Sequence, residues 1–66
     1  MNKLFYLKEY RRKLGITQAE MGRKAGVARG TISRIERGAY TPSVTLAMRL
    51  ADICQASVEE IFPRRE

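Results

Sequence analysis

Arg29, Gly30, Ser33 and Arg34 are the side chains of this 66-residue sequence whose types and spacing carry the clearest chemistry. At about 100° per residue, a helix through them sets Gly30, Ser33, Arg34 and Arg37 on one side, with Arg29 and Thr31 on its flanks. Ala28, Ile32 and Ile35 gather on the opposite, core-facing side. The outward side is small, polar and cationic. Such a surface fits the base edges of a major groove, where an arginine fork matches guanine O6 and N7 and a glycine near the helix N-terminus removes bulk at the point of entry. The same residues are poor choices for folding: Ala28 offers no capping acceptor, Arg29 sets positive charge against the positive helix end, and Gly30 weakens the first turn. Each costs roughly 0.3 to 1 kcal/mol, and three in a row mark a site selected for something else.

A second group suits phosphate. Gln18 falls at the first position of an upstream helix, where free backbone N–H groups and the helix dipole favour an anion. Thr17 and Thr31 offer hydroxyls, and Arg37 and Tyr40 follow the cationic helix at positions that reach neighbouring phosphates. For Tyr40 a ring folded over the edge of the core is an alternative role. Arg23 and Lys24 add charge without geometry. A third group is structural: Arg11 stands on an apolar stripe, and Glu36 sits where the helix dipole disfavours a carboxylate. Each needs a partner of opposite charge, so the two are expected to form a salt bridge joining the first helix to the cationic one.

The elements that position these groups are all helices, since helical spacing recurs from end to end and no alternating run marks a strand. The first spans roughly Lys3 to Leu14, with Leu4, Leu7, Arg11 and Leu14 on its stripe and Gly15 as its stop. Thr17-Gln18-Ala19-Glu20 is a capping box that opens the second, flanked by Ile16 and Met21 as a hydrophobic staple. That helix breaks at Gly26, and Gly22 within it implies close passage of another helix. The third runs from about Arg29 to Arg37 and ends at Gly38. Thr41-Pro42-Ser43 turns into a fourth, Val44 to Cys54, and Ser57-Val58-Glu59-Glu60 is a second capping box opening a short fifth. The tail from Pro63 to Glu66 is expected to fray. The second and third helices, joined by about three residues around Gly26, have helix-turn-helix spacing.

Composition sets the class of partner. Lys and Arg number 13 against 7 Asp and Glu, a net charge of +6. Residues 1–40 hold ten basic and three acidic side chains, and residues 41–66 hold three and four. One end is therefore built to meet a polyanion, while the other completes a core or meets a protein chain. With no His and a single Cys, catalytic triads, Cys/His metal sites and disulfide frameworks lack their parts, so neither an enzyme nor a metal or cofactor site is expected. Cys54 is expected to be a buried packing thiol. No run approaches the roughly 18 apolar residues of a membrane span, and the first residues are too charged for a signal peptide, which suggests the cytoplasm. A chain of this size also leaves no room for a second, sensing domain.

Taken in order, Thr17-Gln18-Ala19-Glu20, Gly26-Val27, Thr31-Ile32-Ser33, Ile35-Glu36-Arg37-Gly38 and Pro42-Ser43 resemble the Cro/C1-type helix-turn-helix domain of phage repressors and small bacterial regulators. The resemblance spans about Leu4 to Phe62, with the domain at 7–61 and the motif at 18–37. It implies an all-α, five-helix fold, binding of a palindromic DNA operator as a homodimer, and transcriptional control, usually repression. It also implies base reading by Arg29, Gly30 and Arg34, phosphate binding by Gln18, and the Arg11–Glu36 bridge. Three positions depart from the pattern: Ala28 replaces a Ser or Thr cap, Gly22 an Ala, and Gln55 a Gly.

Two such modules related by a twofold axis set their third helices about 34 Å apart, one turn of DNA. Val44, Ala47, Ala51 and Cys54 are expected to form the inner stripe of the fourth helix. Leu46 and Ile53, with Val58 and Phe62, then make a candidate dimer patch, or simply pack against the fifth helix. A rival function is a protein-interaction module, such as an antitoxin or transcriptional adaptor that uses the helix-turn-helix as scaffold. Binding to an anionic membrane fails because the basic residues are spread over three helices rather than opposite one wide apolar face.

Overall fold

The computed structural model describes residues 5–63, which fold into five helices: α1 (Leu7–Leu14), α2 (Gln18–Ala25), α3 (Arg29–Glu36), α4 (Val44–Cys54) and α5 (Val58–Ile61). The described residues contain no strand. α2 packs on α3 and α4, and α4 also carries α5 and α1. Leu7, Met21, Ile32, Ile35, Leu50 and Ile61 are fully buried at the centre, one or two from each helix, so every helix contributes to a single core.

Helix ends follow local chemistry. The Thr17 hydroxyl accepts from the Glu20 N–H at 3.0 Å while the Thr17 N–H donates to Glu20 Oε1 at 2.8 Å. Ser57 and Glu60 repeat the arrangement at α5, and the Ser43 hydroxyl caps α4 by accepting from the Leu46 N–H. Gly15, Gly26 and Gly38 close the first three helices in the left-handed region, at φ 73°, 79° and 76°. α4 ends the same way on Gln55, at φ 55°, without the conformational freedom of glycine.

Four expectations need correction. The first helix begins at Leu7 among the described residues, because Phe5 meets Phe62 edge to face at 4.9 Å and the Tyr6 N–H donates to the Ile61 carbonyl at 2.8 Å. These contacts tie the preceding chain to α5 instead of winding it into a helical turn; Lys3 and Leu4, like the expected fraying of residues 64–66, lie outside the described residues. Leu14 is exposed rather than part of the core stripe. On α4 the inner stripe is Leu46, Ala47, Leu50, Ala51 and Cys54, whereas Val44, at the first position of the helix, is 76% exposed. Gly22 is required chiefly by the turn, and the start of α3 also comes close: a Cβ there would lie 2.7 Å from the Val27 carbonyl oxygen and 3.3 Å from the Arg29 backbone nitrogen. That close approach accompanies the Val27 N–H bond to the Gly22 carbonyl, 2.8 Å long, which holds the turn between α2 and α3.

Candidate nucleic-acid interface

α3 presents its cationic side to solvent. Ile32 and Ile35 anchor it in the core, leaving Arg29, Gly30, Arg34 and Arg37 exposed and Thr31 and Ser33 half-buried. Ala28, expected on the core side, is exposed, because it stands at the extended N-cap ahead of the first turn, with no side-chain capping bond. A Cβ on Gly30 would meet nothing within 4 Å, so its smallness serves no contact within the chain. Tyr40 is 42% exposed.

α2 starts beside this surface, and its first residue joins the network behind it. Arg11 Nε donates to Glu36 Oε2 at 2.6 Å and Arg11 Nη2 to Glu36 Oε1 at 3.2 Å, with the two side chains only 12% and 4% exposed. The hydrogen bond to Glu36 holds the Arg11 guanidinium above its ordinary pKa; partial burial opposes this, and the nearby negative charge adds to it. Arg11 Nη1 also donates to the Ile16 carbonyl at 2.9 Å, fixing the loop before α2. Gln18 Nε2 donates to Glu36 Oε1 at 3.0 Å, and Gln18 Oε1 accepts from Arg29 Nη1 at 3.4 Å. A continuous chain of polar contacts thus runs from α1 through Glu36 and Gln18 to the outermost arginine of α3.

The expected groups therefore come together: Arg11 pairs with Glu36, and Gln18 reaches Arg29 at the edge of the α3 surface. The Thr17 hydroxyl accepts in the capping box and keeps its own proton to donate. Two contacts were not legible from spacing. The Gln18–Glu36 bond has no signal in a neutral side chain at an N-terminal position, and Arg49 Nη1, on α4, donates to the Ala25 carbonyl at 3.3 Å, where the last carbonyls of α2 lack helical partners.

The candidate dimer patch breaks up. Leu46 belongs to the core, at 7% exposure, because it occupies the buried stripe of α4. Ile53 lines another depression, of about 390 Å³, with Leu14, Ile16 and Lys24. Val58 and Phe62 line a separate cleft of about 420 Å³ with Phe5, Thr41, Pro42, Val44, Ala47 and Pro63. Among the described residues no charged side chain lines that cleft.

Among the described residues no group of three or more His, Cys, Asp and Glu side chains is placed to hold a metal, and no helix is long and apolar enough to cross a membrane. The Helix-turn-helix family model matches residues 7–61, which run from the first residue of α1 to the last of α5. The chain belongs to the helix-turn-helix family.

Its relatives in this family include an uncharacterized HTH-type transcriptional regulator of Archaeoglobus fulgidus, 43% identical over 56 residues that make up 85% of this chain and 80% of that protein. Among solved structures, the restriction-modification controller protein C.AhdI from Aeromonas hydrophila superposes with a TM-score of 0.77 at 27% identity, covering 85% of this chain and 81% of that one. The N-terminal DNA binding domain of SinR from Bacillus subtilis gives a TM-score of 0.73 at 33% identity, covering 80% and 78%. The five-helix arrangement with its helix-turn-helix at α2 and α3 is thus a family property, and the chain is an HTH-type transcriptional regulator.

Proposed function

We propose that this helix-turn-helix chain binds double-stranded DNA sequence-specifically, inserting α3 into the major groove of a palindromic operator as a homodimer, and acts in the cytoplasm as a repressor. The observation that carries the proposal is the exposed face of α3, where Arg29 and Arg34 flank a glycine whose missing side chain would have met open space. Arg29, Gly30, Ser33 and Arg34 read base edges. The α2 N-terminus with Thr17 and Gln18, together with Thr31, Arg37 and Tyr40, holds the phosphates on either side. Likeness to the DNA binding domain of SinR supports this reading.

The dimer is supported by the cleft of Val44, Val58 and Phe62, an apolar surface that a second copy of the chain would bury. Repression follows from occupancy, since a bound dimer blocks other proteins from the same stretch of DNA.

Selection from a pool of random duplexes tests the proposal. The expected result is enrichment of one palindrome whose half-sites lie about one helical turn apart. Arg29→Ala and Arg34→Ala should each relax the preference at particular base pairs. Equal affinity for the enriched and scrambled duplexes in moderate salt would defeat it. A protein complex that survives loss of both arginines would instead favour an interaction module.

A further inference from the structure

We infer that the depression formed where α1, α2 and α4 end is a second interaction surface, and that it takes an acidic amphipathic helix of another protein. The inference does not depend on what α3 reads.

The apolar part of this surface is one that the fold gathers and leaves uncovered. Leu14 lies two helical turns beyond Leu7 on the same stripe of α1, yet Leu7 is fully buried and Leu14 is 42% exposed. Beside it stand Ile16 and Ile53, both half-buried, and Lys24 completes the depression of about 390 Å³. The three aliphatic side chains come from α1, the loop before α2, and α4, so folding itself brings them together. Apolar surface assembled from three elements and left in water marks a place where a partner binds.

Charge around the depression selects the partner. Lys24 lines it, and its apolar stem can pack against a partner while the ammonium stays at the rim. Arg23 precedes Lys24 on α2 and is exposed. Arg49, one turn before Ile53 on α4, has its guanidinium at the same end of α2, with Nη1 3.3 Å from the Ala25 carbonyl. Among the described residues the salt bridge is that of Arg11 and Glu36, so these cations are not neutralised by an ion pair. The acids nearest in the chain are Asp52, next to Ile53, and Glu20, one turn before Lys24, whose carboxylate accepts from the Thr17 N–H. Cations therefore dominate the rim. A phosphate backbone has nothing to set against Leu14, Ile16 and Ile53, which argues against nucleic acid as the occupant. A helix with apolar anchors at i, i+3 or i+4 and Asp or Glu beside them matches both the floor and the rim.

The test is a selection from a displayed library of helical peptides about 20 residues long, with the wild-type chain as bait. Enriched sequences should carry apolar residues at helical spacing flanked by acids. One of them, made synthetically, should shift the NMR resonances of Leu14, Ile16, Lys24 and Ile53. Its affinity should fall about tenfold with Leu14→Ser and about tenfold with Lys24→Glu, both exposed positions whose variants are checked by melting curves, with Lys24→Gln as the substitute if the charge reversal unfolds the chain. Arg29→Ala with Arg34→Ala should change it less than about twofold. Enrichment of no peptide, or of basic or uncharged ones, would overturn the inference. Resonance shifts centred on Arg29 and Arg34 would reveal an acidic stand-in for DNA on α3, and shifts centred on Val44 and Phe62 a partner in the other cleft; either would overturn it. So would self-association of wild type that Leu14→Ser abolishes, because the occupant would then be a second copy. Leu14→Ser should select the same duplexes as wild type, since Leu14 belongs to none of the groups proposed for base or phosphate. A chain that binds the peptide at Leu14 and Lys24 but selects no duplex would uphold this surface while defeating the DNA-reading role.

Discussion

Three donors converge on the Glu36 carboxylate, two from Arg11 at 2.6 and 3.2 Å and one from Gln18 at 3.0 Å, in a site that water barely reaches. Removing Arg11 leaves a nearly buried charge with a single amide to satisfy it, so Arg11→Ala should cost about 3 kcal/mol in urea unfolding. A double-mutant cycle with Glu36→Ala should return a coupling above about 1 kcal/mol, and a value near zero would dissolve the bridge. Both partners were legible in the sequence because each was a charge in the wrong place, one on an apolar stripe and one at the negative end of a helix. Gln18 was legible only as a phosphate ligand. A neutral amide at an exposed helix start creates no deficit that a partner must fill, so its bond to Glu36 emerges only once α1, α2 and α3 are brought together.

Helix ends are where sequence and structure agree best, since caps depend on neighbours along the chain. Both capping boxes and the left-handed glycines form as their residue types require. Glu20 shows the consequence for pH. Its hydrogen bond from the Thr17 backbone N–H holds its carboxyl below the ordinary value of 4.5; desolvation opposes this, and the Thr17 side chain and the charges of Arg23 and Lys24 add smaller lowering effects. The stabilisation is therefore present above the ordinary glutamate value and is lost as pH falls through the lower folded one. Helix content followed by circular dichroism should decline over that acid range, and Glu20→Gln should remove this component of the slope. Gln55 is the end that lacks glycine: Gln55→Gly should stabilise the chain by about 0.5 to 1 kcal/mol by relieving its left-handed backbone. Gly22→Ala should do the reverse despite alanine's higher helix propensity. Its Cβ would fall 2.7 Å from a backbone oxygen, and opening the α2–α3 turn should cost about 1 to 3 kcal/mol of unfolding free energy. What the sequence concealed at this scale was tertiary: α1 starts late because residues 5 and 6 are held by α5, and the stripe of α4 is set by Leu46 and Leu50.

Across the molecule, charge divides along the chain. The basic excess lies in residues 1–40, which supply α1, α2 and α3, while the uncharged cleft draws its lining from Phe5 and from residues 41–63. The charge asymmetry of the sequence announced this division, but the cleft itself needed the fold, because Phe5 joins residues that follow it by some forty positions or more. The proposed homodimer through the cleft would tie the two halves together energetically. Val44 is 76% exposed at the first position of α4, so Val44→Asp places a negative charge where the helix dipole welcomes it and leaves the core untouched. The variant should keep the helix content of wild type yet sediment as a monomer. Each monomer would then neutralise only its own share of phosphates, so the slope of log affinity against log salt on the full palindrome should fall to about half the wild-type value. Binding to an isolated half-site should be unchanged, since α3 and its supporting network lie elsewhere. A Val44→Asp protein that keeps both the wild-type slope and the wild-type sedimentation would remove the cleft from the assembly.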